Sequence, residues 1–218
     1  MITDPALPDD IAALQPRLQA GLCALCESES LALPLLAYLA LLRQWNGAYN
    51  LTAVREPDRM LGLHLLDSLS ILPALSDGSL VDIGSGAGLP GIPLAIARPR
   101  LQVSLVEPVG KKARFLREVV RQLKLANVQV FDCRAERMDR SQQFDCLSAR
   151  ALGSLAQLIE FGAHLLKPQG RLLAMKGQWP SDELAALPAG WALGESRRLT
   201  VPEVEGERHL LVLQRSAA

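Results

Sequence analysis

The spacing of apolar positions changes about a third of the way along this chain. In the first part they recur every three or four residues, as at Ile11, Leu14 and Leu18, which is the period of an amphipathic helix. Residues 1–73 are therefore expected to form three helices. From Ser79 onward, short apolar runs alternate with helical stretches, a pattern typical of strands separated by covering helices.

The second part of the chain predicts a sheet. Its strand candidates are 80–83, 103–106, 128–131, 146–147 and 172–175, followed by two more at 192–201 and 209–214. Helix candidates, the clearest at 111–124, separate the first five, and parallel strands need such crossovers. The last two are joined by a turn-prone acidic segment and are expected to pair antiparallel. We predict a doubly wound, mostly parallel seven-stranded α/β sheet with an N-terminal helical extension and a C-terminal antiparallel hairpin.

The composition is that of a compact globular protein. The chain has 218 residues, of which 49% are apolar and 21% charged, which excludes a disordered chain and a small disulfide scaffold. No linker rich in Pro, Gly or Ser divides it. We therefore expect a helical extension at 1–73 packed on a domain at 74–218, as one unit that acts as a monomer.

The cysteines and the N-terminus indicate a reducing compartment. Cys23 and Cys26 stand in a C-x-x-C spacing, but no second pair follows and the three histidines are scattered singly, so no metal site is expected. The acidic N-terminus is unlike a signal peptide, and the longest apolar run, 31–42, is too short to cross a bilayer. The sequence predicts a cytoplasmic protein with no membrane partner.

Charge is unevenly distributed along the chain. The formal net charge is zero overall. Residues 98–150 carry +6, whereas residues 1–42 carry −4. Such a basic band is expected either for solvated helix faces or for a surface that binds an anionic partner.

A glycine-rich segment directly follows the first predicted strand. It reads VDIGSGAGLPG over residues 81–91. A loop of this kind at the carboxyl end of a parallel strand lets backbone N–H groups approach a ligand. A dinucleotide fingerprint would place a small residue where Leu89 stands, so the pattern G-x-G-x-G weakens the case for NAD.

Two carboxylates accompany this loop. Glu107 ends the second predicted strand, 23 residues after Gly84, where a carboxylate can accept both hydroxyl groups of a ribose. Asp82 adds negative charge that suits the cationic sulfonium of S-adenosylmethionine (SAM) better than an anionic pyrophosphate, although Asp82 could instead cap its own loop. The loop and the two carboxylates together favour SAM as the cofactor.

The segment after the fourth predicted strand carries no signature of general-base or covalent catalysis. Methyltransferases that act on exocyclic amines share an Asn/Asp-Pro-Pro-aromatic motif there, and enzymes that act on pyrimidine carbons need a Pro-Cys nucleophile; this chain has neither. Arg150 in this segment could bind a phosphate or a base edge, or could form a structural ion pair. Earlier in the chain, His64 and Asp67 can share one helix face, although His64 judged alone is better interpreted as a partly buried, hydrogen-bonded histidine.

These motifs resemble those of the bacterial ribosomal RNA small subunit methyltransferase G family, formerly called glucose-inhibited division protein B. The resemblance extends over both parts of the chain, and GLPGIP is its most specific segment. The matching segments are WNGAYNLT at 45–52, HLLDS at 64–68, DIGSGAGLPGIP at 82–93, KKARFL at 111–116, RAE at 134–136, SARA at 148–151 and KG at 176–177.

The resemblance implies a fold, a reaction and site residues. The fold would be that of class I SAM-dependent methyltransferases, and the methyl group would go to N7 of a guanine, nucleotide 527 of 16S rRNA. Cofactor contacts implied by the resemblance are Gly84, Leu89, Ala135, Glu136 and Arg150, beside Asp82, Gly86, Gly88 and Glu107 from the motif itself. Candidates for positioning the substrate are Asn50, His64, Arg134 and Lys176. Glu107-Pro108 stands where many relatives have Asp-Ser, and the longer carboxylate can still reach a ribose.

The chemistry agrees with the absent motifs. N7 of guanine already carries an in-plane lone pair, so in-line attack on the methyl group needs alignment and no general base. The basic band would then hold phosphates of 16S rRNA or of the small ribosomal subunit through Lys111, Lys112, Arg114 and Arg117. The alternatives are a SAM methyltransferase that acts on a small molecule or another RNA, and an NAD-dependent oxidoreductase.

Overall fold

The computed structural model describes residues 7–139, 141 and 143–216. Within them, seven strands form one sheet. The strands are β1 (Ser79–Ile83), β2 (Gln102–Val106), β3 (Val128–Phe131), β4 (Phe144–Arg150), β5 (Leu166–Lys176), β6 (Trp191–Arg198) and β7 (His209–Arg215).

The strand order is β3-β2-β1-β4-β5-β7-β6. Strands β1 to β5 pair in parallel, whereas β7 pairs antiparallel with both β5 and β6. These pairings confirm the predicted mostly parallel sheet and its C-terminal antiparallel hairpin. The order reverses between β1 and β4, and in open α/β sheets ligands bind beyond the carboxyl ends of the strands at such a point.

Strands β4 and β5 extend beyond the apolar runs that predicted them. Their added residues include Asp145 and Lys167, whose side chains form an ion pair at 2.6 Å. Asp145 also accepts hydrogen bonds from Ser79 of β1. Hydrophobicity alone missed these strand ends because the polar side chains there are paired by an ion pair and by hydrogen bonds.

The N-terminal part contains more helical segments than the three predicted. They are α1 (Asp9–Ala12), α2 (Gln15–Ala24), α3 (Ala32–Tyr49), α4 (Pro57–Met60) and α5 (Asp67–Leu69), with 3-10 turns at Glu29–Leu31 and Leu72–Ala74 and a π-helical turn at Leu61–Leu66. The predicted number was wrong partly because Pro16, which lacks an N–H, opens α2 and separates it from α1. The π turn between α4 and α5 has no signature in apolar spacing.

Four further helices accompany the sheet in the described residues. They are α6 (Gly91–Ala97), α7 (Gly110–Gln122), α8 (Leu155–Gly162) and α9 (Ser181–Ala185), with 3-10 turns at Ala135–Arg137 and Ala163–Leu165. Helix α7 begins and ends within two residues of its prediction. It buries Phe115, Leu116 and Val119 and leaves most of its basic side chains exposed.

The N-terminal helices pack on one face of the sheet. Leu18 and Leu39 share a buried cluster with Leu80 of β1, whereas the next strand residue, Val81, belongs to a second cluster with Leu158 of α8. Successive strand residues point to opposite faces, so the two clusters lie on opposite sides of β1. No helix among the described residues is long and apolar enough to cross a membrane.

Candidate active site

Three glycines turn the chain sharply between β1 and α6. Gly84, Gly86 and Gly88 have φ angles of 64°, 58° and 92°, values that L side chains rarely adopt. A Cβ at Gly84 would also lie 2.5 Å from Cδ1 of Leu152. The loop therefore presents bare backbone at the carboxyl end of β1, as the motif predicts.

A cavity of about 480 Å³ is lined by this loop and by segments distant in the chain. Apolar and cationic side chains both contribute, so the space suits a ligand with apolar and polar parts. Lining residues include Gly84, Gly86 and Leu89 of the loop, Leu51, Thr52, Leu63 and Asp67 of the N-terminal part, Arg150 at the end of β4 and Leu152 after it, Met175 and Lys176 at the end of β5, and Arg208 and His209 of the hairpin.

Glu107 holds the glycine loop from the end of β2. It is only 3% exposed. Its Oε2 accepts a hydrogen bond from Gly86 N at 2.8 Å, and its Oε1 accepts one from Val109 N at 2.8 Å. Each carboxylate oxygen keeps a second lone pair. Glu107 therefore fixes the loop; it is not itself among the lining residues, and the second lone pair on each oxygen is what it could offer to the hydroxyl groups of a ribose.

Asp82 lies in the core behind the loop. Its Oδ1 accepts a hydrogen bond from Ser148 Oγ at 2.9 Å, and its Oδ2 accepts one from Gly91 N at 3.2 Å. Burial raises the pKa of Asp82 to about 6, against the opposing effect of these two hydrogen bonds and of Arg150. Asp82 is fully buried and is not among the lining residues. The structure thus favours the second interpretation of Asp82, a carboxylate that caps its own loop.

Gly91 provides the close packing that a dinucleotide fingerprint assigns to its third small residue. A Cβ there would lie 2.3 Å from Cδ2 of Leu105 and 3.0 Å from Oδ2 of Asp82. Leu89, two positions earlier, is buried and lines the cavity instead. The helix after β1 thus approaches the sheet at Gly91.

Tyr38 of α3 supports the same loop and was missed by the sequence analysis. Its hydroxyl group is buried and donates to the carbonyl oxygen of Ala87 at 2.8 Å. Burial raises the pKa of Tyr38, so the phenol remains a neutral donor. An aromatic residue at a helical apolar position looks like core in the sequence, and no sequence signal distinguishes this one.

The cationic side chains in the lining are paired with carboxylates. Arg150 Nη1 lies 3.0 Å from Asp67 Oδ2 and donates to the carbonyl oxygen of Leu63 at 2.9 Å. Lys176 Nζ lies 2.8 Å from Glu183 Oε2. Arg150 therefore forms the structural ion pair that was one of its two interpretations, while it also lines the cavity.

Arg208, from the hairpin, was not predicted. Its Nε lies 3.2 Å from Oδ1 of Asp67. The geometry is that of an ion pair and not of a directed hydrogen bond, since Oδ1 has no hydrogen-bond partner among the described residues. Asp67 thus joins Arg150 and Arg208, which come from two different parts of the sheet.

His64 is a buried, hydrogen-bonded histidine. Its side chain lies in the π turn, and its Nε2 is 2.9 Å from Oγ1 of Thr52. Burial, assisted by the positive charge of Arg150, lowers the pKa of His64 to about 4. His64 is therefore neutral near pH 7. It does not line the cavity itself, but it is hydrogen-bonded to Thr52, which does.

This depressed pKa predicts a specific acid sensitivity. Because the unfolded chain takes up a proton near pH 6.5 and the folded chain only near pH 4, folding stability is lost as the pH falls through this range. We expect the difference in free energy of unfolding between wild type and His64→Gln to be constant above pH 6.5 and to shrink by up to about 3 kcal/mol at pH 4. Urea unfolding at several pH values measures it, and a difference independent of pH would contradict it. The comparison with the variant is needed because Asp82, whose pKa is raised, makes the folded chain more stable as the pH falls. Both proteins contain Asp82, so its contribution cancels in the difference.

Four other residues predicted to position the substrate or contact the cofactor lie outside the cavity lining: Asn50, Arg134, Ala135 and Glu136. Asn50 is exposed at the end of α3, with φ 50°, and its Oδ1 accepts a hydrogen bond from Arg55 at 2.9 Å. Arg134 and Glu136 are exposed, and Ala135 is buried, around the 3-10 turn that follows β3. Their roles remain predictions.

The predicted RNA-binding side chains lie on α7, which begins three residues after Glu107. Lys111, Arg114 and Arg117 are exposed and Lys112 is half-buried. Arg117 lies 3.6 Å from Asp132. Because α7 starts at the carboxyl end of β2, its first turns lie at the same edge of the sheet as the glycine loop.

Metal ligands are not clustered in the described part of the chain. No group of three His, Cys, Asp or Glu side chains in it lies close enough to hold a metal ion. Cys23 and Cys26 are exposed free thiols.

Comparison with known proteins shows close relatives. A family model described as rRNA small subunit methyltransferase G matches residues 33–211. A protein of that name from Xanthomonas euvesicatoria pv. vesicatoria is 55% identical over 98% of this chain and 100% of the relative. Another from Stenotrophomonas maltophilia (strain K279a) is 54% identical over 97% of this chain and 99% of its own.

Solved structures show the same fold at low identity. A ribosomal protein L11 methylase from Lactobacillus delbrueckii subsp. bulgaricus has a TM-score of 0.53 at 17% identity and covers 70% of this chain and 77% of its own. A SAM-dependent methyltransferase from Aquifex aeolicus has a TM-score of 0.53 at 16% identity, over 72% of this chain and 96% of its own. The fold is that of the class I SAM-dependent methyltransferases. With the family match over most of its length and its near-full-length relatives, the chain belongs to the rRNA small subunit methyltransferase G family.

Proposed function

We propose that this rRNA methyltransferase transfers the methyl group of SAM to N7 of a guanine in 16S rRNA, at nucleotide 527, in the cytoplasm. The observation that carries the proposal is the glycine loop, held by Glu107 at the switch point of the sheet and lining a cavity, in a chain of this family. The loop and the carboxylate are the two features that a nucleoside cofactor with a free ribose requires.

The described residues fit SAM. Glu107 retains lone pairs for both ribose hydroxyl groups, and the strained glycines keep side chains away from the space above the loop. Leu89 and Leu152 offer apolar contact for the adenosyl group. Ala135 and Glu136, beside the end of β3, are proposed to border the adenine, and Arg150 to contact the cofactor. When bound, SAM supplies a methyl group activated by its sulfonium charge.

The residues of the chain then need only hold and align the guanine. N7 attacks through a lone pair that is already free, so no side chain has to remove a proton. His64 agrees with this, because a buried imidazole with a pKa of about 4 is a weak base near pH 7. The apolar side chains of Leu51, Leu63 and Met175 displace water from the lining. Lys176, which also lines the cavity, is proposed to help position the substrate.

The first turns of α7 are proposed to bind rRNA phosphates. Reversing two exposed charges, with Lys111→Glu and Arg114→Glu together, should weaken binding to 16S rRNA by roughly tenfold or more at low salt and reduce the salt dependence by about two counterions. SAM affinity should stay unchanged. Filter binding over a salt series measures the RNA effect.

Lys124→Glu is the control, since it reverses one exposed charge just beyond the other end of α7. It should leave the affinity for 16S rRNA close to that of wild type. An equal loss in log affinity per reversed charge in the two variants would indicate a general charge effect and contradict a specific phosphate site.

The direct test of the acceptor is transfer of labelled methyl groups. Purified protein is incubated with methyl-labelled SAM and either small or large ribosomal subunits from cells that lack this enzyme. We expect stoichiometric label in 16S rRNA of the small subunit and none in the large subunit. SAM binding without transfer to 16S rRNA would leave the fold intact and move the proposal to another RNA or to a small molecule.

A further inference from the structure

We infer that Thr52 positions the target base, because its hydroxyl group is fixed as a hydrogen-bond donor and selects guanine through O6. The inference deepens the proposed function and rests on it. Thr52 lies between α3 and α4, is half-buried and lines the cavity.

The hydrogen bonds of Thr52 leave its proton free. Its Oγ1 accepts a hydrogen bond from Val54 N at 3.3 Å and lies 2.9 Å from His64 Nε2. A hydroxyl group has two acceptor sites and one donor. If His64 donates through Nε2, both acceptor sites are filled and the single O–H proton has to point to a different partner.

The surroundings of His64 favour that tautomer. Nδ1 of His64 is buried and has no hydrogen-bond partner among the described residues. The opposite tautomer would place an N–H at this position, and buried N–H groups without an acceptor are rarer than buried acceptors without a donor. The carbonyl oxygen of Leu63, which accepts from Arg150, is near enough to raise the pKa of His64, but it lies outside hydrogen-bond geometry with Nδ1. The proton is therefore assigned to Nε2, which donates to Thr52.

Thr52 is also held rigidly, as a specificity contact requires. Asn46, 3% exposed in α3, accepts a hydrogen bond from Thr52 N at 2.9 Å through Oδ1. Its Nδ2 donates to the carbonyl oxygen of Val54 at 3.2 Å. One buried amide thus fixes the turn from residue 52 to residue 54. The cavity is the open space into which the Thr52 proton can be donated.

A fixed donor distinguishes the two purines. On the edge that carries N7, guanine presents a second acceptor, O6, whereas adenine presents the N6 amino group, a donor. When N7 faces the methyl group, O6 is the neighbouring atom that a hydroxyl donor can read. A donor at Thr52 stabilises guanine in this orientation and leaves adenine with two donors facing each other.

The test compares bases at the target position of small subunits assembled from 16S rRNA. The bases are guanine, 2-aminopurine, which lacks O6, and 2,6-diaminopurine, which has an amino group there. Wild type, Thr52→Val and Thr52→Ser are compared by kcat/KM for methyl transfer and by SAM affinity. The valine variant keeps the shape of the side chain without the hydroxyl group, and the serine variant keeps the hydroxyl group.

We expect wild type and Thr52→Ser to prefer guanine over 2-aminopurine by roughly tenfold, the value of one hydrogen bond. Thr52→Val should lose about tenfold on guanine only, with 2-aminopurine and SAM affinity unchanged. An equal loss on both bases, or a wild-type preference for 2,6-diaminopurine, would overturn the inference. Failure of wild type to methylate guanine at all would overturn the proposed function first, so the two failures are distinguishable.

Discussion

Glu107→Gln is expected to weaken SAM binding by at least roughly 100-fold, the largest binding effect that we predict. The carboxylate accepts from Gly86 N and Val109 N and would also accept from the ribose. A glutamine keeps one acceptor oxygen and turns an NH₂ group toward one of these donors. Hydrogen bonds to a charged acceptor contribute about 1.5–3 kcal/mol each, so the loss of two gives this magnitude. Isothermal titration calorimetry measures it.

Glu160→Gln provides the comparison for that experiment. Glu160 is exposed on α8, whereas Glu107 is buried against the glycine loop, so this variant makes the same chemical change at a surface site. Its SAM affinity should equal that of wild type. If Glu107→Gln also bound SAM normally, the assignment of Glu107 to the ribose would be wrong.

Gly88→Ala is expected to cost about 2–4 kcal/mol of folding stability and most of the activity. Gly88 has φ 92°, and an added Cβ would lie 2.5 Å from Cγ1 of Ile92 and 2.9 Å from Cδ2 of Leu116. Backbone strain of roughly 1–2 kcal/mol adds to overpacking of similar size. Urea unfolding gives the stability, and methyl transfer gives the activity.

Gly47→Ala is the matched substitution. Gly47 lies exposed within α3, and nothing lies within 4 Å of a Cβ added there. Alanine should therefore raise stability by about 0.5–1 kcal/mol, as expected for a helix interior. If both substitutions changed stability alike, the loop would not depend on the left-handed conformation of Gly88.

Local sequence was sufficient for the sheet and for the centre of the site. Apolar runs predicted the central parallel strands because such strands are buried on both faces, as Leu80 and Val81 of β1 show. The glycines were predictable because few other residues fit positive φ angles. Glu107 was predictable because its distance from Gly84 is set by one β-α-β unit.

The contacts that complete the site were not predictable from local sequence. Tyr38 reaches Ala87 across 49 residues, and Arg150 reaches Asp67 across 83. Arg208 joins the same carboxylate from the hairpin. Such pairs form only when the N-terminal helices and the C-terminal hairpin pack against the sheet. The residue types involved do not indicate which distant residues will come into contact. The π turn that contains His64 was likewise not predictable, because it has no signature in the spacing of apolar residues.

Burial explains why two residues that were predicted at the site have structural roles instead. Asp82 and His64 were both predicted as site residues. In the structure Asp82 accepts hydrogen bonds from Gly91 and Ser148, and His64 is hydrogen-bonded to Thr52. Both carboxylate oxygens of Asp82 and Nε2 of His64 have hydrogen-bond partners within this chain. Thr52, the partner of His64, lines the cavity, so its hydroxyl group and not the imidazole would contact a ligand.

The most direct test of the central claim is the position of the methyl group in 16S rRNA. After reaction with small subunits from cells lacking the enzyme, nuclease digestion and mass spectrometry identify the modified base and its sequence context. We predict one 7-methylguanine, at nucleotide 527, absent before the reaction. Methylation of another atom or another nucleotide, or of no 16S residue while SAM binds, would contradict the account.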